Sequence, residues 1–179
     1  MKFTETELKG VLIIEPDVFA DERGFFLESY NRERYGQLPG LDVEFVQDNH
    51  SHSRRNVLRG LHLQHRHPQG KLIRVMAGHV WDVAVDVDPG SPTFRRWVGV
   101  DLTGANHRLL YIPPGYAHGF CVVSDHADLL YKCTEFYRPG DEQGVAWNDL
   151  ELGIRWPVGE PILSARDAAC PTLRRYLGT

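Results

Sequence analysis

The sequence predicts a mainly β fold, a double-sheet jelly roll with a few short helices. Short apolar or alternating segments rich in Val, Ile, Phe and Tyr recur along the chain, a pattern typical of strands. Turn-forming sequences separate these segments, for example DPGSP at 88–92, PPG at 113–115 and RPGD at 138–141; such residues favour chain reversal. Many short strands at this spacing indicate a sandwich or a barrel.

The predicted elements follow from these segments in chain order. Strands are expected at 11–14, 24–29, 43–49, 57–64, 72–77, 79–87, 97–102, 108–112, 119–123 and 129–136. A short helix is expected at 31–38, and Ser164 begins a capping sequence that opens another near the C-terminus. Since no repeat, low-complexity tract or long linker divides the chain, residues 1–179 are predicted to form a single domain. A jelly roll of this kind encloses one pocket between its sheets.

Composition restricts the classes of partner. The formal net charge is −4 and the pI is about 6.1, so the chain lacks the basic surplus that nucleic acids or anionic membranes attract. No apolar segment approaches the ~20 residues of a membrane span, and none resembles a signal peptide. The expected partner is a small molecule or another protein, with no nucleic acid and no membrane.

The cysteine pattern predicts a reducing compartment. Cys121, Cys133 and Cys170 are odd in number and form no CxxC pair, and two of them lie in apolar strand segments. Disulfide scaffolds instead carry paired cysteines. The sequence therefore favours a cytoplasmic location.

A histidine pair at the start of the central region raises the question of a metal site. His65 and His67 have HxH spacing, which places two imidazoles on one face of a strand. Leu72 stands where a metal-binding HxHxxxxE motif would offer Glu, and Lys71 disfavours a bound cation. Polar turn residues before Pro68 are the preferred interpretation, and no metal is predicted.

His62 differs because it lies inside an apolar strand segment, LRGLHL. Alone, such a histidine is more often a hydrogen-bonded core residue than a general base. Other polar residues in the apolar strand segments favour a functional role for His62. Each unpaired polar group buried in a core costs several kcal/mol, so a core would not contain many of them. The strand segments also contain Gln47, Asn49, Arg59, Asp82, His118 and Tyr131. Together they predict a solvated pocket that binds a polar ligand.

Strand geometry presents one difficulty for this pocket. Strict alternation places Arg59 and His62 on opposite faces of a regular strand. Gly60 lies between them, and glycine inside a strand often marks a bulge. A bulge would turn both side chains toward one cavity.

Two further charged residues have both catalytic and ordinary explanations. Lys71 could stabilise an enolate or bind a phosphate, or it could be a solvated turn residue. Asp167 could orient His62, or it could cap a helix. Because GxSxG, P-loop, Rossmann and HExxH motifs are missing from the sequence, the corresponding hydrolase, kinase, dehydrogenase and protease chemistries are disfavoured.

An ordered set of short motifs runs along the chain. They are DERGFFLESY at 21–30, QDNHS at 47–51, VLRGLH at 57–62, QGKLIRV at 69–75, DVAVD at 82–86, SPTF at 91–94, IPPGYAHGF at 112–120, LYKCT at 130–134 and LSARD at 163–167. They cover nearly the whole chain, so together they are more specific than any one of them. With these motifs the chain resembles the dTDP-4-dehydrorhamnose 3,5-epimerase family of deoxysugar epimerases.

The resemblance implies a cupin-like jelly roll, an activity and a role for each matched residue. The substrate would be a dTDP-4-keto-6-deoxy sugar, epimerised at C3 and C5 without a cofactor or a metal. His62 would be the base, Asp167 its dyad partner, Tyr131 the acid on the opposite face, and Lys71 the group that stabilises the enolate. The implied substrate-binding residues are Gln47, Asp48, Asn49, Arg59, His118, Glu142 and Arg166, and, from the N-terminal segment, Arg23, Phe26 and Glu28.

The resemblance also implies a homodimer in which that N-terminal segment crosses to the partner subunit and completes its nucleotide site. Two positions depart from the family pattern. Asn56 stands where family members often have Gly, and Arg166 where Lys is common. Asn tolerates left-handed backbone angles and Arg keeps the positive charge, so neither change affects the implied chemistry.

Elementary chemistry supports the implied reaction, because a C4 ketone acidifies the hydrogens at both C3 and C5. A base on one face and an acid on the other then invert each centre. Three alternatives stay open: a mono-epimerase acting at C3 or C5 only, a metal-dependent cupin enzyme, and a jelly roll that binds sugar nucleotides without catalysis.

Overall fold

Strands dominate the chain, as predicted. The computed structural model describes residues 1–178. The strands are β1 (Lys2–Glu5), β2 (Leu12–Glu15), β3 (Val18–Asp21), β4 (Gly24–Leu27), β5 (Gln47–Arg54), β6 (Leu58–Gln64), β7 (Lys71–Ala77), β8 (His79–Val85), β9 (Trp97–Thr103), β10 (Leu109–Ile112), β11 (Ala117–Val122), β12 (His126–Cys133) and β13 (Glu142–Gly144). Within the described residues the helices are short: α1 (Arg32–Tyr35), α2 (Ala165–Ala168) and α3 (Leu173–Leu177). None of them is long and apolar enough to cross a membrane.

Two antiparallel sheets form the body of the fold. One has the strand order β1-β2-β10-β7-β12-β5 and the other the order β13-β6-β11-β8-β9. From β6 to β8 and from β10 to β12, consecutive strands alternate between the two sheets. This alternation is characteristic of a jelly roll and confirms the predicted fold class.

The core lies between the sheets and becomes polar toward one end. Burial is complete for Ile73 and nearly complete for Val75 on β7, and Leu129 on β12 is fully buried beside them. Because side chains on one face of a strand recur at every second residue, the same rows continue into Lys71 on β7 and Tyr131 on β12. The inner face therefore passes from an apolar core into a polar cavity.

A bulge at Gly60 resolves the difficulty of Arg59 and His62. On the neighbouring strand β11, His118 pairs with His62 and Phe120 pairs with Arg59, so the register shifts between these two pairs. Gly60 and Leu61 together oppose the single residue Gly119, which defines a bulge. Both Arg59 and His62 consequently line the same cavity.

Gly60→Ala is expected to lower the free energy of unfolding by about 2 to 4 kcal/mol. Gly60 has φ +123°, and a Cβ there would lie 2.6 Å from the Gly119 Cα and 2.7 Å from the His118 carbonyl oxygen. Urea denaturation measures the change. The matched control is Gly159→Ala, where a Cβ meets nothing within 4 Å and the effect should stay within about 0.5 kcal/mol. Equal stability of the two variants would contradict the proposed backbone requirement.

The predicted and observed elements differ mostly where strands are exposed. The segment predicted at 43–49 pairs instead as β5, Gln47–Arg54, at the edge of the six-stranded sheet. β1 and β3 were not predicted, and all their residues are exposed. In the predicted helix at 31–38, α1 spans Arg32–Tyr35 with Asn31 as its N-cap. The predicted cap at Ser164 opens α2.

The strands β3 and β4 form a separate hairpin rather than an extension of either large sheet. Its aromatic side chains are poorly covered: Phe19 is 64% exposed, Phe25 57% and Phe26 69%. Exposed aromatic residues in one place usually mark a contact with another molecule.

Candidate active site

A cavity of about 400 Å³ opens where the inner faces of the two sheets become polar. β5, β7 and β12 of the six-stranded sheet line one side, and β6 and β11 of the other sheet line the opposite side. The lining residues are Gln47, Asn49, Ser51, Arg59, His62, Gln69, Lys71, His118, Phe120, Tyr131, Tyr137, Glu142, Ser164, Arg166 and Asp167.

His62 and Asp167 form a close pair although they are 105 residues apart. The His62 Nε2 lies 2.5 Å from the Asp167 Oδ1. A short parallel bridge brings the two segments together, because the N–H of Leu58 donates to the carbonyl of Ile162 and the N–H of Ile162 donates to that of Asn56. Asp167 therefore approaches β6 from the C-terminal segment.

The environment of Asp167 keeps its carboxylate charged. Burial by itself raises the pKa, but hydrogen bonds from His62, Ser164 and the backbone N–H of Gly60 outweigh burial and hold the pKa below its ordinary value. Since a carboxylate only accepts hydrogen bonds, the proton of a neutral His62 lies on Nε2. The lone pair of Nδ1 is then available as a base.

Tyr131 enters the cavity from β12, opposite His62 on β6. Burial, with smaller contributions from Cys133 and Glu142, raises the pKa of Tyr131 to about 12. The phenol is therefore protonated at neutral pH and can donate a proton. A base and an acid thus project from opposite sheets into one cavity.

Lys71 supplies positive charge beside Tyr131 in the six-stranded sheet. It pairs in register with Cys133, and Tyr131 pairs with Ile73. Burial lowers the pKa of the Lys71 ammonium, while nearby acidic groups including Glu142 and Asp82 oppose that shift. A half-buried cation that lines the cavity is well placed to stabilise an anion there.

A second histidine–carboxylate pair is formed by His118, which lines the cavity, and the buried Asp82. The His118 Nε2 is 2.9 Å from the Asp82 Oδ1, and Asp82 is fully buried. Burial lowers the pKa of His118, although Asp82 opposes that shift. The other carboxylate oxygen of Asp82 has no hydrogen-bond partner among residues 1–178.

Polar contacts hold the rim of the cavity. The Arg59 Nε donates to the Ser53 hydroxyl at 3.0 Å, and the Gln47 amide donates to the Asn49 side-chain oxygen at 3.0 Å. Arg166 forms an ion pair with Glu142. The Glu142 carboxylate also lies 3.8 Å from the His62 Nδ1.

Most of the predicted site residues meet in this cavity. Those that line it are Gln47, Asn49, Arg59, His62, Lys71, His118, Tyr131, Glu142, Arg166 and Asp167. Asp48 does not line it, because strand alternation turns its side chain to the opposite face of β5, where it binds Lys132 at 2.9 Å. Arg23 and Phe26 lie on the exposed hairpin, and Glu28 follows it and binds Arg34.

Sequence reasoning missed five lining residues: Ser51, Gln69, Phe120, Tyr137 and Ser164. Ser51 could have been found by alternation from Gln47 and Asn49. Tyr137 lies in an irregular loop after β12, where no periodicity indicates its direction.

His67 belongs to a structural contact at the turn after β6. Asp141 accepts the backbone N–H groups of Arg66 at 2.9 Å and His67 at 2.8 Å, and its carboxylate lies 3.0 Å from the His67 Nδ1. Within the described part of the chain, no group of three or more His, Cys, Asp or Glu side chains is arranged to hold a metal ion.

Asp141→Asn is expected to lower the melting temperature at pH 6 to 7 more than at pH 3. The hydrogen bonds from Arg66 and His67 outweigh burial and lower the pKa of Asp141 to about 2. A depressed folded-state pKa adds stability above the unfolded value of about 3.9, and that stability is lost as the pH falls toward 2. Thermal melts of both proteins from pH 3 to 7 test this; a difference that grows on acidification would contradict it.

The amino-acid sequence and the structure were compared with those of known proteins. A family profile described as dTDP-4-dehydrorhamnose 3,5-epimerase matches residues 5–175. A Salmonella typhimurium enzyme of that name is 54% identical over 177 residues, covering 98% of this chain and 97% of the relative.

Two further relatives are a solved complex with a sugar nucleotide and a 3-epimerase. A Legionella pneumophila dTDP-6-deoxy-D-glucose-3,5-epimerase, solved in complex with dTDP-4-keto-L-rhamnose, is 50% identical with a TM-score of 0.94, covering 97% of this chain and 93% of that one. A Streptomyces niveus dTDP-4-dehydrorhamnose 3-epimerase is 40% identical, covering 93% of this chain and 81% of the relative.

Proposed function

The chain belongs to the dTDP-4-dehydrorhamnose 3,5-epimerase family, and from this premise we propose that it converts dTDP-4-dehydro-6-deoxy-D-glucose to dTDP-4-dehydro-L-rhamnose. The enzyme is an isomerase that inverts C3 and C5. The observation that carries the proposal is the placement of His62 and Tyr131 on opposite sheets around one cavity. Inversion requires a base and an acid on opposite faces of the sugar.

The first chemical step is proton removal by the Nδ1 of His62. The C4 ketone acidifies the hydrogens at C3 and C5, so each carbon can lose a proton to give an enolate. Asp167 holds the Nε2 proton of His62 and stabilises the imidazolium that forms, as the carboxylate does in other His–Asp pairs. General-base catalysis of this kind typically contributes about 10²- to 10⁴-fold.

The enolate is stabilised by Lys71 and protonated by Tyr131. The Lys71 side chain lines the cavity, so its ammonium can place positive charge beside the developing enolate oxygen. Tyr131 then delivers its proton to the face opposite His62, which inverts the carbon and leaves a phenolate and an imidazolium. Exchange with solvent returns a proton to Tyr131 and removes one from His62 before the next inversion. The chain's own side chains supply the acid, the base and the positive charge, so the mechanism uses neither a metal nor a cofactor.

The remaining polar residues of the cavity bind the sugar nucleotide. Arg59 and His118 are suited to the diphosphate and sugar oxygens, and Gln47 and Asn49 offer amide groups for hydrogen bonds. Arg166, 53% exposed at the rim, provides a cation for the nucleotide end. The exposed carboxylate of Asp48 lies on the opposite face of β5, paired with Lys132 and outside the cavity.

The assay that tests this function uses purified protein and dTDP-4-keto-6-deoxy-D-glucose. Borohydride reduction of the products followed by proton NMR distinguishes L-rhamno from D-gluco configurations. Formation of the L-sugar nucleotide supports double epimerisation. A product inverted only at C3 would identify the mono-epimerase alternative, which the 40% identity to a 3-epimerase makes the second candidate.

The exposed hairpin supports a homodimer with exchanged N-terminal strands. Arg23 and Phe26 lie outside the cavity of their own chain, with the Arg23 side chain 85% exposed and Phe26 69% exposed. In the proposed dimer they reach the partner's nucleotide site, together with Glu28. Burial in that interface would account for the uncovered aromatic residues.

Mixed dimers of His62→Ala and Arg23→Ala chains test this exchange. If Arg23 acts in the partner's site, each mixed dimer contains one intact site, and random assortment restores ~25% of wild-type activity. Mixing His62→Ala with Asp167→Ala chains is the control, because both residues belong to one subunit's site and no intact site forms. Failure of the first mixture to exceed the control would refute the exchange.

A cytoplasmic location is consistent with the three free cysteines, Cys121, Cys133 and Cys170, since a reducing compartment preserves thiols. Cell fractionation tests it.

A further inference from the structure

We propose that Ser164 is a positioning residue that fixes the orientation of Asp167, and through Asp167 that of His62. This role rests on the proposed epimerase function, because it concerns the base of that reaction. Ser164 lines the cavity and is the N-cap of α2, so one side chain combines a structural and a functional position.

The inference begins with a reciprocal pair of hydrogen bonds. The Ser164 Oγ accepts the backbone N–H of Asp167 at 3.0 Å and donates its proton to the Asp167 Oδ2 at 2.8 Å. A hydroxyl group has one proton to donate. Since the N–H of Asp167 occupies an acceptor position of the Oγ, that proton is available to the carboxylate.

Both oxygens of Asp167 are therefore held. The Oδ1 contacts the His62 Nε2 at 2.5 Å, and the Oδ2 is bound by Ser164. Rotation of the carboxylate about χ2 would break both contacts at once. The hydrogen bond from Ser164 to the Oδ2 therefore fixes the plane of the carboxylate. The orientation of that plane sets the position of the Oδ1, which holds the His62 imidazole.

Burial makes the serine hydroxyl hard to replace. Asp167 is 5% exposed, so water has little access to the Oδ2 if the hydroxyl is removed. The donors left to Asp167 would be His62 and the backbone N–H of Gly60; because an unsatisfied charged oxygen is costly, the carboxylate would rotate to share them. His62 would then lose its fixed orientation, and its Nδ1 would point toward the substrate only part of the time.

A purely structural role predicts a different result, and α3 offers the matched control. Thr172 caps α3 as Ser164 caps α2, and its hydroxyl oxygen accepts the N–H of Arg175 at 3.4 Å. The first turn of α3 contains no acidic residue. Thr172→Ala therefore removes a helix cap without affecting a carboxylate of the reacting pair.

The experiment compares Ser164→Ala, Ser164→Thr and Thr172→Ala with the wild-type enzyme. Ser164→Ala is expected to lower kcat by about 10- to 100-fold, the loss associated with one hydrogen bond to a charged group, with KM within about twofold because the positioned group acts on the chemical step. Ser164→Thr keeps the hydroxyl and should restore most of kcat. Thr172→Ala should lower the melting temperature and leave kcat unchanged.

A spectroscopic measurement that needs no turnover accompanies the kinetics. The Nε2 proton of His62 in its short hydrogen bond should give a far-downfield proton NMR signal, assigned by its loss in His62→Ala. The signal should disappear or move upfield in Ser164→Ala and persist in Ser164→Thr and Thr172→Ala. If wild-type protein shows this signal without epimerising the substrate, the proposed function fails. The comparison of the signal between wild-type protein and Ser164→Ala then still tests whether Ser164 positions Asp167 and His62. A Ser164→Ala variant that retains both the signal and kcat would overturn the positioning role.

Discussion

His62→Ala is expected to reduce kcat/KM for epimerisation by about 10³- to 10⁴-fold, at or near the upper end of what general-base catalysis contributes. The His62 imidazole lines the cavity opposite Tyr131, and because Asp167 holds its Nε2 proton, the Nδ1 lone pair is free to remove a proton from the substrate. The side chain faces the cavity rather than the apolar core, so the variant should fold. Circular dichroism and a thermal melt check the fold, and NMR of the sugar nucleotide measures the rate.

His65→Ala is the matched control for this prediction. His65 lies three residues beyond His62, is exposed, and lies outside the set of residues that line the cavity. Its replacement should leave kcat/KM within about twofold. A fully active His62→Ala enzyme would remove His62 from the mechanism, whereas equal losses in both variants would indicate a structural effect.

Tyr131→Phe is expected to separate proton removal from inversion. The change deletes only the hydroxyl group whose pKa burial raises to about 12. Formation of the L-sugar should fall by about 10²- to 10³-fold because the acid on the opposite face is missing. His62 can still form the enolate and return a solvent-derived proton to the same face, so deuterium should enter the sugar with retention of configuration.

Tyr116→Phe provides the control for Tyr131→Phe. The Tyr116 hydroxyl donates to the carbonyl of Lys9 at 3.0 Å, away from the cavity. This variant should form the L-sugar at the wild-type rate. If Tyr131→Phe also does so, Tyr131 is not the acid; if it loses deuterium exchange as well, the hydroxyl is needed to form the enolate rather than to protonate it.

The parts of the fold that alternate clearly in sequence were predicted well. The segment predicted at 72–77 corresponds to β7, Lys71–Ala77, whose inner face is apolar as far as the cavity. The strand predicted at 43–49 begins and ends too early relative to β5, Gln47–Arg54, because the residues of β5 are polar on both faces. An edge strand with one face on a solvated cavity has no apolar stripe, so hydrophobic periodicity does not detect it.

The site was predictable to the extent that its residues are unusual in apolar strands. His62, Arg59 and Tyr131 stand out for this reason, and the bulge at Gly60 was expected from the glycine between the first two. The pairing of His62 with Asp167 depends on the long-range bridge between Val57 and Ile162, which local patterns do not encode. Ser164 was recognised only as a cap, because its bond to the carboxylate oxygen is a tertiary detail.

Solvent-deuterium incorporation tests the central claim most directly. The protein is incubated with dTDP-4-keto-6-deoxy-D-glucose in D₂O with a chelator present, and deuterium at C3 and C5 is followed by NMR. If His62 and Tyr131 carry out acid/base epimerisation, the wild-type enzyme should incorporate deuterium at both carbons and form the L-sugar. The His62→Ala enzyme should neither incorporate deuterium nor form the L-sugar. Wild-type enzyme that binds the substrate but incorporates deuterium at neither carbon would contradict the account.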